Sequence, residues 1–192
     1  GCAIGSRPVN YHLDSLKQMG AKIVLKNGYI EATAAKLKGA NIKFDGITVT
    51  GTENIMMAAT LAEGKTTLTN VAKEPEIIDL ADMLNSMGAK IEGAGSDQIT
   101  ITGVEKLNGT KYEIPADRIE AGTYLAAAAV TKGEITIEGI NPNRLMVVID
   151  KLKSTGAEIN LDTDSISIYM KKNVPNPVDI TTAPFPEFPT DM

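Results

Sequence analysis

Cys2, Arg7 and His12 stand within one short stretch, Gly-Cys-Ala-Ile-Gly-Ser-Arg-Pro-Val-Asn-Tyr-His, whose first half is punctuated by Gly1 and Gly5 and whose second half has helical spacing. A glycine loop running into the free N–H groups of a helix, with a guanidinium among them, is an anion site, and phosphate suits it best. Arg7 carries the wrong charge for the positive end of a helix dipole. It is therefore either a place where local preference yields to binding or a solvated surface arginine. Cys2 is either a small buried hydrophobe or a thiol whose ionisation Arg7 and the helix end assist, able to act as acid or nucleophile. His12, about one turn inside the helix, is either a hydrogen-bonded structural residue or a group turned back toward the loop.

Two further stretches have the right residue types. Thr48-Val49-Thr50-Gly51, between Asp45 and Thr52, presents hydroxyls and backbone N–H groups to a ligand or is a strand ending before a helix cap. Thr190-Asp191 is either an N-cap for a following helix or a placed carboxylate.

A repeat supplies the elements that carry these residues. Leu-Lys-Gln-Met-Gly-Ala-Lys-Ile at 16–23 returns at 84–91 and, altered, at 152–159, placing Gly20, Gly88 and Gly156 at a period of 68. Pro8, Pro75 and Pro142 stand ahead of them, and apolar residues fall at helical intervals in between, so each repeat has a helix opening on proline and closing on a left-handed glycine. A strand pair follows each glycine: Ile23–Lys26 and Tyr29–Thr33 around Asn27-Gly28, Lys90–Glu92 and Ile99–Thr102, Ile159–Leu161 and Ser165–Tyr169. In the second and third units a leading helix (53–63, 123–132) and strand (66–71, 134–140) precede the proline helix. These leading helices are apolar on nearly every side, which predicts helices enclosed by other elements, with sheets outside. The first unit lacks them, the last residues start a fourth unit, and no Met opens the chain. Those features suggest a piece of a longer protein.

Composition narrows the function. With 19 Lys+Arg against 24 Asp+Glu the formal charge is −5, which argues against a nucleic-acid or anionic-membrane partner. The apolar run 124–130 is far shorter than the roughly 18 residues of a spanning helix, so no membrane partner is expected and the cytoplasm is the expected location. One cysteine and one histidine exclude internal disulfides and leave little for a zinc site, so no metal or cofactor is expected.

The motif at 1–12, Ala-Ala-Thr-Leu-Ala-Glu-Gly-Lys-Thr-Thr at 58–67, Glu-Pro-Glu-Ile-Ile-Asp-Leu at 74–80, Asp-Arg-Ile-Glu-Ala-Gly-Thr at 117–123 and Phe-Pro-Thr-Asp-Met at 188–192 together resemble the UDP-N-acetylglucosamine 1-carboxyvinyltransferases, a family of enolpyruvyl transferases. The resemblance spans the whole chain. It implies an α/β fold, the inside-out α/β barrel of repeated units, in two domains with the active site in the cleft between them. The hinge would fall near Pro115-Ala116-Asp117, giving 1–115 as two units of the first domain and 116–192 as the first unit of the second.

The same resemblance implies transfer of the enolpyruvyl group of phosphoenolpyruvate to the 3′-hydroxyl of UDP-N-acetylglucosamine, with release of phosphate through a tetrahedral ketal. Cys2 would protonate C3 of phosphoenolpyruvate and would be the thiol alkylated by fosfomycin. Arg7 would bind the phosphate, and Arg7, Pro8, Val9, Asn10 and Tyr11 would line the uridine nucleotide site with His12 beside them. Gly46, Ile47, Thr48 and Val49 would hold the diphosphate, and Asp191 would be the base at the 3′-hydroxyl. Some relatives carry a basic residue where this chain has Gly46. The family's N-terminal Lys-Asn pair and further arginines lie outside the chain, so these residues alone are expected to give no turnover without the remainder of the polypeptide. The alternatives are a shikimate-pathway enolpyruvyl transferase, a non-catalytic nucleotide-sugar-binding paralogue and an RNA-end-modifying enzyme of related fold, the last disfavoured by the acidic charge balance.

Overall fold

Gly20, Gly88 and Gly156 adopt φ of +93°, +100° and +96°, the left-handed conformation that a side chain resists and that ends a helix. After each, the next N–H reaches back across the last turn, Ala21 to Leu16 O at 2.9 Å, Ala89 to Leu84 O at 3.0 Å and Ala157 to Leu152 O at 3.4 Å. One stop signal is thus used three times. The structure, a computed structural model, describes residues 9–171 and 174–192.

In chain order the elements are α1 (Asn10–Gln18), β1 (Lys22–Lys26), β2 (Tyr29–Thr33), β3 (Asn41–Lys43), α2 (Val49–Ala59), β4 (Lys65–Thr69), α3 (Pro75–Ser86), β5 (Lys90–Glu92) and β6 (Gln98–Thr102). Then come α4 (Arg118–Thr131), β7 (Glu134–Glu138), a 3-10 turn Pro142–Arg144, α5 (Met146–Ser154), β8 (Glu158–Leu161) and β9 (Ser165–Tyr169). The chain divides into two compact units, Gly1–Tyr112 and Glu113–Met192.

The repeat extends to sheet topology. The second repeat orders its strands β4-β6-β5 and the third β7-β9-β8, so the leading strand lies against the returning arm of the hairpin. Registers match as well: Lys65, Thr102 and Lys90 form one cross-strand row, and Glu134, Tyr169 and Glu158 form its counterpart. The first hairpin, β1 with β2, turns at Asn27 and Gly28, both at positive φ, as a two-residue Asn-Gly turn requires.

Each sheet is apolar on one face. In the first unit Ile42, Leu68, Ile99 and Ile101 of the sheet meet Met19, Ile55, Met56 and Ile77 of the helices, all at most 2% exposed. In the second, Ile166 and Ile168 meet Leu125, Leu145, Val148 and Ile149. Burial of each such side chain is worth about 1.5–3 kcal/mol.

The structure departs from the sequence reading in four ways. β3 was not expected; it adds in parallel to β4, Ile42 beside Leu68. The leading helices start earlier, at Val49 and Arg118, because Thr48 Oγ1 accepts from Gly51 N at 3.2 Å and Asp117 Oδ1 accepts from Ile119 N at 2.8 Å, capping turns that precede the apolar runs. Nor is α4 enclosed on every side within this chain, since Tyr124 and Val130 are 54% and 72% exposed. Finally, the proline helices are not equivalent: α3 begins on Pro75, whereas Pro142 opens only a 3-10 turn and α5 starts four residues later.

Candidate functional site

Cys2, Arg7 and Pro8 lie outside the described residues. Of the remaining candidates, Val9, Asn10, Tyr11 and His12 form the start of α1, with Val9 as its N-cap and 45% exposed. Ser15 Oγ donates to the Tyr11 carbonyl at 2.6 Å, and the Tyr11 ring meets Phe44 edge-on, centroids 6.3 Å apart at 87°. Phe44 is 2% exposed, so the contact ties the first turn of α1 to the core of the first unit.

That tie brings the two expected segments together. A Cβ placed on Gly46 would stand 2.8 Å from Tyr11 Oη, so the absence of a side chain at 46 is what lets the phenol lie over the loop leading into α2. Ile47 is 47% exposed in that loop, and Thr48, rather than ending a strand, is the N-cap of α2. Its carbonyl accepts Thr52 N at 3.1 Å and Thr52 Oγ1 at 2.7 Å, while Thr52 Oγ1 accepts from Ala72 N at 3.2 Å. The loop is therefore braced from beneath by a fully buried threonine. Gly46 to Val49 thus lead directly into a helix N-terminus beside Tyr11, an arrangement suited to anionic oxygen atoms.

Sequence reasoning passed over several polar residues here. Asn54 of α2 lies with its amide nitrogen 2.9 Å from His12 Nδ1. Glu53, beside it, has its carboxyl pushed above the usual carboxylate range by burial first, then by the charges of Glu76 and Glu74 at the start of α3. Glu74 Oε2 is buried and has no hydrogen-bond partner among the described residues. Nothing in the sequence marks Asn54, because its partner is 42 residues away. Among the described residues no group of three or more His, Cys, Asp or Glu side chains is arranged to hold a metal ion, and no helix is long and apolar enough to cross a membrane.

Asp191 belongs to the second unit and is exposed. Its segment is anchored on both sides of it. Phe188 is 6% exposed and its carbonyl accepts Ala183 N at 3.1 Å, while Met192 lies so close to Gly122 of α4 that an added Cβ would meet its Sδ at 2.5 Å. Earlier in the same segment, the Phe185 ring stacks under the guanidinium of Arg118, 5.5 Å from its centroid. Arg118 opens α4 and is 8% exposed. A signal for it existed in the sequence: it puts positive charge at a helix start, against the dipole.

Known proteins share this sequence and fold. The chain matches the family model described as EPSP synthase (3-phosphoshikimate 1-carboxyvinyltransferase) over residues 1–192. It is 54% identical, over its whole length, to the protein named UDP-N-acetylglucosamine 1-carboxyvinyltransferase from Hydrogenovibrio crunogenus, and 54% identical to the protein of the same name from Aeromonas hydrophila. It spans 46% of the length of each. Among solved structures, the enolpyruvyl transferase NikO from Streptomyces tendae superposes with a TM-score of 0.73 at 21% identity, covering 88% of this chain and 44% of that one. EPSP synthase from Acinetobacter baumannii does so with a TM-score of 0.61 at 27% identity, covering 86% of this chain and 40% of that one. The fold class expected from the sequence, the inside-out α/β barrel of enolpyruvyl transferases, is that of these neighbours. Its full-length match to the family model makes this chain a member of the EPSP synthase family of enolpyruvyl transferases.

Proposed function

We propose that this chain forms part of an enzyme that transfers the enolpyruvyl group of phosphoenolpyruvate to the 3′-hydroxyl of UDP-N-acetylglucosamine and releases phosphate. This is the first committed step of peptidoglycan synthesis, a cytoplasmic reaction that feeds cell-wall growth. The 54% identity across the whole chain to relatives of that name carries the reading. In it, residues 1–115 belong to the first domain and 116–192 open the second, and the remainder of a relative-sized polypeptide completes the site.

In this reading each residue keeps the role that the family resemblance implies. The Cys2 thiol gives its proton to C3 of phosphoenolpyruvate, leaving C2 electron-poor. Asp191 takes the proton of the 3′-hydroxyl, whose oxygen bonds to C2 and forms the ketal. Phosphate is then expelled as the Cys2 thiolate takes a proton back from C3, which restores the double bond as an enol ether and the thiol as the acid. Arg7 neutralises the phosphate throughout, a charge-assisted contact of the kind that strengthens as the leaving group departs. Val9 to His12 and Gly46 to Val49 hold the nucleotide. The support for the second group is the helix N-terminus that Thr48 caps, beside the Tyr11 phenol that the bare Gly46 accommodates.

The test is phosphate release with both substrates. The relative-sized polypeptide is expected to turn over and to lose activity on Cys2→Ala or Asp191→Ala, while residues 1–192 alone are expected to be inactive. Turnover with 3-phosphoshikimate in place of the UDP-sugar would favour the acceptor named in the family description instead. Tight UDP-sugar binding with no phosphate released would favour a non-catalytic paralogue.

A further inference from the structure

The His12 ring and the Asn54 amide meet across two helices, Nδ1 to Nδ2, at 2.9 Å. Neither partner is free to wander. His12 follows Tyr11, which is held against Phe44 and over Gly46, and Asn54 sits on a helix whose first turn is fixed by Thr48 and by buried Gly51 and Thr52. A carboxamide NH2 has two hydrogens and no lone pair to offer, so it only donates. The ring nitrogen it faces must therefore be the acceptor and carry no proton. A neutral imidazole has one proton, and it must then reside on Nε2.

We propose that Asn54 is a positioning residue that fixes His12 in the Nε2–H tautomer, so that the ring offers a single N–H donor to an oxygen atom of the bound substrate. The tautomer claim stands on geometry; the ligand claim rests on the proposed function. The arrangement also joins two parts of the candidate site, because the helix that Thr48 caps for the nucleotide loop is the one that orients His12. Placing the donor on the far nitrogen is a role that histidines acquire from the partner of their near nitrogen.

Because His12 is the chain's only histidine, its ring nitrogens can be read without ambiguity in a 15N-labelled sample. In a long-range 1H–15N correlation recorded in mild alkali, the parent chain is expected to show a protonated-type Nε2 and an unprotonated Nδ1 shifted upfield by its hydrogen bond. Asn54→Asp replaces the donor with a group that can only accept and is expected to invert the pattern to Nδ1–H. Asn54→Ala, which keeps the helix even if the aspartate does not, is expected to move Nδ1 downfield to its free position. A parent chain with Nδ1–H, or variants that leave both nitrogens unmoved, would overturn the assignment. Adding saturating UDP-N-acetylglucosamine to the relative-sized polypeptide is expected to shift the Nε2 of this histidine and not its Nδ1. An unmoved Nε2 with the tautomer pattern intact would sink the substrate contact while leaving Asn54's hold on the ring in place.

Discussion

The starts of α3 and α5 are the same position of two repeats, and they are built differently. Aligned on their closing glycines, Ile77 and Leu145 are counterparts, and both are buried, at 0% and 2% exposure. Around Ile77 the helix is continuous from Pro75, with Glu76 in its first turn to suit the dipole. Around Leu145 it is not. Asn141 Oδ1 accepts from Asn143 N at 3.0 Å, the turn so formed carries Arg144 rather than an acid, and Leu145 at φ −139° and ψ 29° interrupts it before α5 begins. The core residue is kept and the backbone leading to it is not. Packing thus constrains the apolar position more tightly than the hydrogen-bond pattern around it, and a helix start can be remodelled at little cost to the core. In the third repeat a cavity beside this start is lined by Arg118, Arg144, Met146 and Phe185.

If the two apolar residues are true equivalents, Ile77→Ala and Leu145→Ala each cost about 2–5 kcal/mol in denaturant titrations, the range for fully buried aliphatics. A much smaller loss at Leu145 would mean that its interrupted backbone collapses into the gap, and that the repeats differ in packing after all. A smaller effect is expected where a leading helix starts. In Gly51→Ala the new Cβ would meet Thr48 Cγ2 at 2.5 Å and Oγ1 at 2.9 Å, displacing the cap, for a loss of about 1–3 kcal/mol in thermal melts. Asn141→Ala removes the bond that shapes the 3-10 turn and is expected to cost about 1 kcal/mol. If the turn instead straightens into a longer α5, seen as added helical circular dichroism, the side chain alone was causing the interruption.

The smallest effect concerns the acids that only the α3 start possesses. Glu53 ionises at a higher pH in the folded chain than in the unfolded one, because of burial, Glu76 and Glu74. The folded state therefore binds that proton more tightly, and stability falls as pH rises from the ordinary carboxylate range through the raised value. Glu53→Gln is expected to melt slightly higher than the parent at neutral pH, with the difference shrinking on acidification. A constant offset at all pH values would show that the carboxylate's charge is not the cause.

Much of the repeat was legible because its signals are local. Gly20, Gly88 and Gly156 and the Asn27-Gly28 turn announce their own backbone conformation. The same holds for the alternating Ile99-Thr100-Ile101-Thr102. β3 escaped because three residues with one core side chain, Ile42, make no pattern of their own; its strand character comes from Leu68 alongside. The helix starts were misplaced although Thr48 and Asp117 are good caps, since the residues just after them are not apolar enough to extend the periodic run. At the candidate site the segments were visible and their meeting was not. Tyr11 over Gly46, and Asn54 on His12, are contacts between residues far apart in sequence, and no spacing rule reaches them.

One repeated bond has a consequence for how the chain can vary. The carbonyls of Met19, Met87 and Thr155, each one residue before a closing glycine, accept backbone N–H groups from Lys38, Asn108 and Asn176, each at 2.8 Å. Every hairpin is in this way clasped at its base to the helix it follows, so the strand lengths beyond the clasp are free of that anchor. Hairpin tips can lengthen or shorten beyond the clasp without moving the base of each hairpin on its own helix.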